Sequence, residues 1–242
     1  MELRADAAAA LAAARMPTTR NELYRYTDLA PLLTSPVSAP PAPDAAALDS
    51  ALAAAELPAA CGTRVVIVDG RFDAERSNLS ALPAAAFVGA ASDAPPAVAA
   101  LLGAQSRVRG SLFATLNDAT CVGATVVHIP PHVVVDAPLH VFYASSGAAD
   151  SVTVSAPRLL IVVEEGGSAE VVEEYVALGA AAGGYLVNGV TEVALGVRGA
   201  LKHSYLALDG AAAFHVKATL VAQAEESMYS LVEARLGGRL TR

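Results

Sequence analysis

The amino-acid sequence predicts a mainly β protein whose second half forms a β-solenoid and whose first half is mixed and mostly helical. From about residue 124 onward, short runs rich in Val, Ile, Thr and Tyr alternate with Gly, Pro and Asp. No helix-period segment separates these runs, which disfavours a βαβ sheet. Weak internal repetition with a period near 30 residues is typical of stacked coils. A β-sandwich stays open as the alternative, because short strands with turn signals also describe it.

Composition narrows the function classes. The chain is 54% hydrophobic, enough for a sizeable core, so disorder is excluded as the dominant state. Its net charge of −8 repels phosphate backbones, so we expect no nucleic-acid partner. It contains no run of about 18 strongly apolar residues, so we expect no membrane partner. Two distant cysteines, Cys61 and Cys121, do not form a metal knuckle and favour a reducing compartment.

Residues 1–120 form the predicted amino-terminal region. Its Ala-rich start is typical of a helix that ends before Pro17, and it lacks the features of a secretory signal or a transit peptide. Four prolines predict a linker at 34–43, after which Asp44 can cap a helix that runs up to Pro58. The other predicted elements are a strand from residue 64 that enters an Asp-Gly turn, and helices over 97–105 and 111–119.

Residues 121–242 form the predicted solenoid core, a partial β-helix. Its strand-like runs are 126–129, 133–135, 140–143, 152–154, 159–163 and 170–176. The repeats align Val163 with Val193 at an offset of 30 residues, and Val193 with Val221 at an offset of 28. The same offsets pair Val171 with Leu201, Tyr175 with Tyr205, and Leu201 with Tyr229.

Two glutamate pairs, Glu164–Glu165 and Glu173–Glu174, invite comparison with the carboxylates of glycoside hydrolases and β-helical lyases. Adjacent residues on a strand point to opposite faces, so neither pair acts jointly unless the strand bends. Glu164–Glu165 precedes Gly-Gly, which favours a solvated turn. For the pairs we expect a charged outer face that limits sheet association, and we assign no catalytic residue.

Five histidines were considered as metal ligands. His128, His132 and His140 lie four and then eight residues apart and could converge on a metal ion. No acidic or Cys ligand keeps a characteristic spacing to them, so we expect loop or outward-facing side chains. His203 and His215 lie on strands of successive coils and are expected to be ladder residues with satisfied hydrogen bonds, although iron binding there stays open. We assign no metal ligand and no cofactor-binding residue.

The cysteines and one polar-aromatic stretch complete the candidates. Cys61 and Cys121 could be redox thiols, but Cys121 is expected in or near the core. The stretch Arg25–Asp28 is expected to contain the cap of a short helix over residues 29–33, with Thr27 or Asp28 as the capping residue. A recognition role for this stretch is the alternative.

Segments such as RNELYRYTDL at Arg20–Leu29 and PRLLIVVEEGG at Pro157–Gly167 resemble the SufB/SufD family, and within it SufD, a scaffold subunit of the SufB–SufC–SufD iron–sulfur cluster assembly complex. RNELYRYTDL at Arg20–Leu29 is similar to the family's amino-terminal segment, and Val65–Phe72 to its V-x-V-D-G strand. The most specific matches keep the family's order and spacing: Pro157–Gly167, Val171–Tyr175, Leu201–Tyr205, Ala213–Lys217 and Leu231–Leu240. The residues around Lys202–Tyr205 are closest to plant and algal plastid versions.

The resemblance implies a right-handed parallel β-helix after a helical amino-terminal region, in agreement with the repeats. It implies a non-enzymatic scaffold that partners a SufB-like scaffold and a SufC-like ATPase. No cofactor would be bound by this chain, and the full complex would assemble an iron–sulfur cluster transiently. The implied location is the chloroplast stroma, or otherwise the cytoplasm.

The resemblance also implies a chain truncated inside the β-helix. Family members continue beyond the segment that matches Gly237–Arg239. The coils that pair with SufB, the Cys and His implicated in cluster assembly, and the helices that hold the ATPase would all lie past residue 242. No cluster-related residue is therefore carried over onto this sequence.

Three other classes stay open at this point. A β-helical carbohydrate-active enzyme would need carboxylates or Arg converging inward on successive coils, whereas the aligned positions hold Val163, Val193 and Val221. A hexapeptide-repeat acyltransferase would need a six-residue aliphatic rhythm, which is absent past Val141. A β-solenoid binding protein without catalysis is the remaining alternative.

Overall fold

A computed structural model describes residues 2–55, 57–60, 62–179 and 183–242. Strands account for 43% of the chain and helices for 21%, which confirms the mainly β prediction. Two sheets enclose a common interior and form a β-solenoid of about three turns, as the repeats predict. The handedness of the winding and the division into two domains stay predictions.

Most helices lie in the first half of the described chain and most strands in the second. The helices are α1 (Glu2–Ala13), α2 (Ala30–Leu33), α3 (Ala45–Ala54), α4 (Pro96–Ala99), α5 (Ala104–Arg109) and α6 (Leu112–Thr120), with 3-10 turns at Glu22–Tyr24 and Pro58–Ala60. The strands of the first half are β1 (Val37–Ser38), β2 (Arg64–Val68), β3 (Arg71–Asn78) and β4 (Phe87–Ala90). The strands of the second half are β5 (Thr125–Ile129), β6 (Leu139–Ser146), β7 (Val152–Ser155), β8 (Arg158–Val163), β9 (Ser168–Leu178), β10 (Tyr185–Leu195), β11 (Ala200–Asp209), β12 (Ala213–Gln223), β13 (Met228–Gly237) and β14 (Leu240–Thr241).

Each coil contributes strands to both sheets. The first sheet stacks β5, β8, β10 and β12 in parallel, with β7 beside β10, β1 beside β7 and β14 beside β12. The second sheet stacks β2, β6, β9, β11 and β13 in parallel. The antiparallel pairs β2–β3 and β4–β5 place one strand at the edge of each sheet.

The register corrects one predicted repeat offset and confirms the other. Val193 pairs with Ile161 instead of Val163, and Tyr175 with Ala207 instead of Tyr205, so the offset of 30 is two residues too short. The offset of 28 is right, because Val193 pairs with Val221. A slip of two residues leaves every side chain on the same face, so the hydrophobic pattern does not detect it.

Local signals predict most of the amino-terminal elements. The carboxylate of Asp44 accepts hydrogen bonds from two backbone N–H groups of α3, which confirms the cap. Asp69 and Gly70 have φ values of +48° and +81°, as expected for a tight hairpin turn between β2 and β3. Two predictions are wrong in detail: residues 97–105 contain the separate helices α4 and α5, and residues 133–135 make only an isolated bridge at Val134.

The main hydrophobic core lies between the two sheets. Val127, Ile161 and Val193 project from the first sheet and meet Val141 and Val171 from the second. The helices cover the outer faces instead. Leu48 of α3 packs on Phe142 of the second sheet, while Phe113 of α6 packs near Leu186 of the first. The amino-terminal region therefore shields both outer faces of the solenoid.

Candidate functional site inside the solenoid

The interior of the solenoid changes from apolar to polar along its length. Its early coils contribute aliphatic side chains such as Val127 and Ile161. Further along, the first sheet contributes the buried residues Thr191, His215 and Lys217. The facing strands add the buried residues Glu173, Tyr175, His203 and Tyr205. Titratable groups from several coils thus meet in one enclosed space, which makes the interior the leading candidate site.

Glu173, in the middle of β9, is the centre of a buried ion cluster. Its Oε1 accepts hydrogen bonds from Thr191 at 2.8 Å, His203 at 2.9 Å and Lys217 at 2.7 Å. Its Oε2 accepts one from the Tyr175 hydroxyl at 2.9 Å. Lys217 also donates to the Thr191 hydroxyl at 2.6 Å. These five residues are called the Glu173 cluster below.

The surrounding charges determine the ionisation of this cluster. Burial by itself would raise the pKa of Glu173, but the Lys217 ammonium and the bond from His203 outweigh it and hold that pKa well below its usual range. Burial lowers the pKa of Lys217, and the neighbouring carboxylate opposes that shift. The two charges compensate each other, because either one alone would be costly in the interior.

The low pKa of Glu173 predicts a loss of stability in acid. The folded-state pKa lies below the unfolded value, so the contribution of this carboxylate is complete above about pH 4.5 and is lost as pH falls through the folded-state pKa. Glu173→Gln should be less stable than the unaltered protein at neutral pH, and the difference should shrink below about pH 4.5. Urea unfolding at a series of pH values measures it, with the exposed Glu165→Gln as the control. A difference that stays constant with pH would contradict an ionised Glu173.

A second hydrogen-bonded group lies beside the first. Nδ1 of His215 is 2.7 Å from the Asp209 carboxylate, and its Nε2 is 2.9 Å from the Tyr205 hydroxyl. Tyr185 donates to the other oxygen of Asp209 at 3.1 Å. Because a carboxylate only accepts, Nδ1 of His215 carries a hydrogen, and in the neutral ring Nε2 accepts from Tyr205. Tyr185, Tyr205, Asp209 and His215 are called the Asp209 cluster below.

Both interior histidines have their hydrogen bonds satisfied, as predicted. His203 contacts Glu173 through Nε2 and lies 2.8 Å from the Tyr229 hydroxyl through Nδ1. His215 uses both ring nitrogens within the Asp209 cluster. The two rings are therefore fixed by their neighbours, which is the role expected of ladder residues.

The carboxylates of the interior are occupied by hydrogen bonds within the protein. A glycoside hydrolase uses two carboxyl groups, one of which protonates the leaving oxygen of a bound sugar. Here the Glu173 carboxylate accepts hydrogen bonds from four donors of the protein. The Asp209 carboxylate likewise accepts hydrogen bonds from Tyr185 and His215. Such networks stiffen the structure and connect strands of successive coils.

A separate charged cluster fastens the helices to the outer face of the first sheet. The guanidinium of Arg158, which is fully buried, donates to Asp118 of α6 and to Glu192 of β10, the latter at 2.6 Å. Glu192 also accepts backbone N–H bonds at the start of α5 from Gly103 at 2.7 Å and Ser106 at 3.0 Å. Burial raises the pKa of Asp118, and the Arg158 charge opposes that shift. The contacts of this cluster indicate a structural role, because they join helices α5 and α6 to strands β8 and β10.

The three histidines nearest the predicted core boundary do not converge. His128 lies 2.7 Å from Glu164, and the fully buried His140 lies 2.8 Å from Glu174. His132 is exposed in a turn with a φ of +60°. The expectation of loop or outward-facing side chains holds, since His132 lies in a turn and the core positions of Val127 and Val141 put His128 and His140 on the outer faces of the sheets. Unlike exposed outer-face residues, His128 and His140 are buried in separate pairs.

The prediction that the second glutamate pair lies on the outer face is wrong for Glu173. Glu173 points into the interior and is completely buried, while Glu174 lies on the other face of β9 and is buried against His140. Burial of Glu173 is tolerated because Lys217 and His203 arrive from other coils. Glu164 and Glu165 do lie in the predicted turn and are partly exposed.

Two further candidates, Cys121 and the stretch Arg25–Asp28, make contacts that indicate a structural role. Cys121 is half-buried just after α6, and burial raises the pKa of its thiol, which disfavours the reactive thiolate. Cys61 lies outside the described residues. Asp28 accepts a hydrogen bond from the backbone of Ala30 at the start of α2, and Thr27 accepts one from Arg242 at 3.1 Å.

Sequence reasoning missed the partners that complete these clusters. Lys217 and Thr191 are single polar residues in strand-like runs, and Asp209 ends its strand. Arg158 begins an otherwise apolar strand, which is the one local signal that a partner was needed. The contacts of Arg158 with Ser106 and Glu192, and of Lys217 with Glu173, join residues 34 to 52 positions apart, so only the coiled fold brings them together.

The described residues contain no group of three His, Cys, Asp or Glu side chains that could hold a metal ion. Within the same residues, no helix is long and apolar enough to cross a membrane. Fold and site together define a β-solenoid protein with a helical cover and a charged, hydrogen-bonded interior.

Comparison with known proteins assigns the family. Residues 1–141 match the "SufBD protein N-terminal region", and residues 143–242 match the "SUF system FeS cluster assembly, SufBD core domain". The chain is 31% identical over 252 residues to an iron–sulfur cluster assembly SufBD family protein of Synechocystis, an alignment that covers 99% of this chain and 54% of the relative. It is 30% identical over 248 residues to the protein ABCI7, chloroplastic, of Arabidopsis thaliana. This alignment covers 99% of this chain and 51% of the relative.

The chain therefore belongs to the SufBD family of iron–sulfur cluster assembly proteins. It spans about half the length of the curated relatives that it matches.

Proposed function

We propose that this chain acts as a SufD-like scaffold that works with a SufB-like scaffold and a SufC-like ATPase. The observation that carries the proposal is the match of the whole chain to the two consecutive parts of the SufBD family, on a fold that is a β-solenoid. The choice of SufD over SufB rests on the resemblance of Arg20–Leu29 and Leu201–Tyr205 to SufD segments.

In this proposal the chain contributes shape and contacts, and the complex carries the chemistry. The ATPase would move the two scaffolds relative to each other and expose the place where iron and sulfide meet. The cluster is the cargo of the complex. The buried clusters support this role, since paired charges keep successive coils in register while the scaffold is moved.

A plastid location is part of the proposal. Support comes from the chloroplastic relative at 30% identity and from the likeness of residues 202–205 to plastid versions. A fluorescent fusion of the full-length gene product should localise to chloroplasts, and a fusion that accumulates only in the cytosol would contradict it.

Co-purification tests the partners. The full-length gene product, tagged and expressed with the SufB-like and SufC-like proteins of the same organism, should retain both through gel filtration. Absence of both partners from the full-length preparation would overturn the assignment.

Pairwise mixtures separate SufD-like from SufB-like behaviour. A SufD-like chain should leave cluster formation dependent on the SufB-like scaffold, which ultraviolet–visible absorption monitors after iron and sulfide are supplied. Cluster formation by this chain and the ATPase alone would show a SufB-like role instead.

A further inference from the structure

Five of the seven tyrosines of the sequence pack into the solenoid interior: Tyr143, Tyr175, Tyr185, Tyr205 and Tyr229. Three of them form a continuous series along the second sheet. The rings of Tyr143 and Tyr175 stack with centroids 4.1 Å apart and an interplanar angle of 3°. The rings of Tyr175 and Tyr205 follow at 5.3 Å. Tyr143, Tyr175 and Tyr205 are called the tyrosine column below.

Each end of the column has a different environment. The Tyr205 hydroxyl lies 2.9 Å from Nε2 of His215, whose other nitrogen is held by Asp209 at 2.7 Å. Tyr175 donates to Glu173 at 2.9 Å. The buried hydroxyl of Tyr143 makes no hydrogen bond of ordinary geometry within the described part of the chain, and burial together with the nearby Glu173 carboxylate raises its pKa. At one end of the column, the Tyr205 phenol contacts an imidazole that is itself hydrogen-bonded to a carboxylate. At the other end, the Tyr143 phenol makes no such contact.

The phenols of the column stay protonated near neutral pH. Burial raises the pKa of Tyr205 and that of Tyr175 above the usual phenol value. Removing an electron from a protonated phenol produces a very strong acid, so oxidation requires a base that takes the proton at the same time. An imidazole within hydrogen-bond reach and oriented by a carboxylate is such a base.

We propose that Tyr205 is a redox-active tyrosine and that Tyr175, the next ring of the tyrosine column, shares its radical. A one-electron oxidant of the iron–oxygen class accepts one electron from the Tyr205 ring. The O–H bond breaks, and the proton passes to Nε2 of His215. The products are a neutral tyrosyl radical, an imidazolium paired with Asp209, and the oxidant reduced by one electron.

Transfer to Tyr175 balances in the same way. Tyr175 gives one electron to the Tyr205 radical, and its hydroxyl proton passes to Glu173. His215 returns its proton to Tyr205, which restores the phenol. The column therefore moves an oxidising equivalent away from Tyr205 without a net change in the charge of the interior. This activity does not depend on the scaffold role proposed above.

Photo-oxidation with electron paramagnetic resonance tests the proposal. Flash excitation of ruthenium(II) tris(bipyridine) with persulfate supplies a one-electron oxidant, and the samples are frozen for detection. Tyr26 is 93% exposed and would be oxidised directly, so every variant carries Tyr26→Phe. The Tyr26→Phe protein should give a tyrosyl radical that shows coupling to an exchangeable deuteron after transfer to D2O.

Two buried variants assign that radical. Adding Tyr205→Phe should abolish the deuteron-coupled signal. Adding Tyr185→Phe should leave it, because Tyr185 is equally buried and bonds to the same Asp209 but lies outside the column. The proposal is overturned by an unchanged signal in Tyr205→Phe, by equal loss in Tyr185→Phe, or by absence of the exchangeable coupling in the Tyr26→Phe protein. The last measurement requires only a surface substitution, so absence of the coupling overturns the proposal even if a buried variant fails to fold.

Discussion

Replacing Lys217 with methionine should lower the free energy of unfolding by about 3–5 kcal/mol. The Lys217 side chain is 1% exposed, and its ammonium lies 2.7 Å from the Glu173 carboxylate. Methionine keeps the aliphatic stem but removes the charge, which leaves a carboxylate buried without its cation. Urea unfolding followed by circular dichroism measures the change from the shift in midpoint at constant slope.

An exposed ion pair provides the matched control. Arg198 and Glu165 lie 2.6 Å apart, but their side chains are 56% and 50% exposed. Arg198→Met should therefore change stability by less than about 1 kcal/mol. Combining Lys217→Met with Glu173→Leu should recover part of the loss, because no unpaired charge is left. Equal, small effects of Lys217→Met and Arg198→Met would show that the buried pair is not ionised.

Replacing Arg158 with methionine should cost a similar amount, about 3–5 kcal/mol, and should also release helices α5 and α6. Arg158 is fully buried between Asp118 and Glu192, so its removal leaves two carboxylates without a cation. Glu192 also holds the start of α5. Limited proteolysis and hydrogen exchange should show cleavage and loss of protection at residues 104–120 before the solenoid unfolds.

Two comparisons sharpen this experiment. Arg107 is exposed on α5, so Arg107→Met should stay within about 0.5 kcal/mol of the unaltered protein. Arg158→Lys keeps the charge but not the forked donor geometry, so an intermediate loss is expected. Uniform loss of protection across helices and solenoid alike would contradict a role for Arg158 in fastening the helices.

Prediction from sequence succeeded where a short-range signal decides the structure. The cap at Asp44, the turn at Asp69–Gly70 and the series of strands after residue 124 all follow from residues within a few positions of each other. The resemblance of a few segments also indicated the SufBD family, which the comparisons confirm. The predicted offset of 30 residues, which paired Val163 with Val193, was two residues too short, because alternation alone does not distinguish registers that keep the same face.

The sequence did not predict the Glu173 cluster, because residues far apart in the chain form it. Glu173 has the sequence context of a solvated strand residue, and strand alternation allowed either face. Its burial depends on Thr191, His203 and Lys217, which lie 18, 30 and 44 positions away. A single sequence contains no local feature that brings these side chains to one carboxylate.

The sequence by itself determined that this is a mainly β, coil-stacking protein of the SufBD family, because hydrophobic period, turn residues and short motifs act over a few positions. The tertiary structure decided which polar side chains face inward and which of them meet. Desolvation makes a buried charge costly unless a partner is present, and the partners come from different coils. The charged interior and the tyrosine column therefore form only when the chain folds into the solenoid.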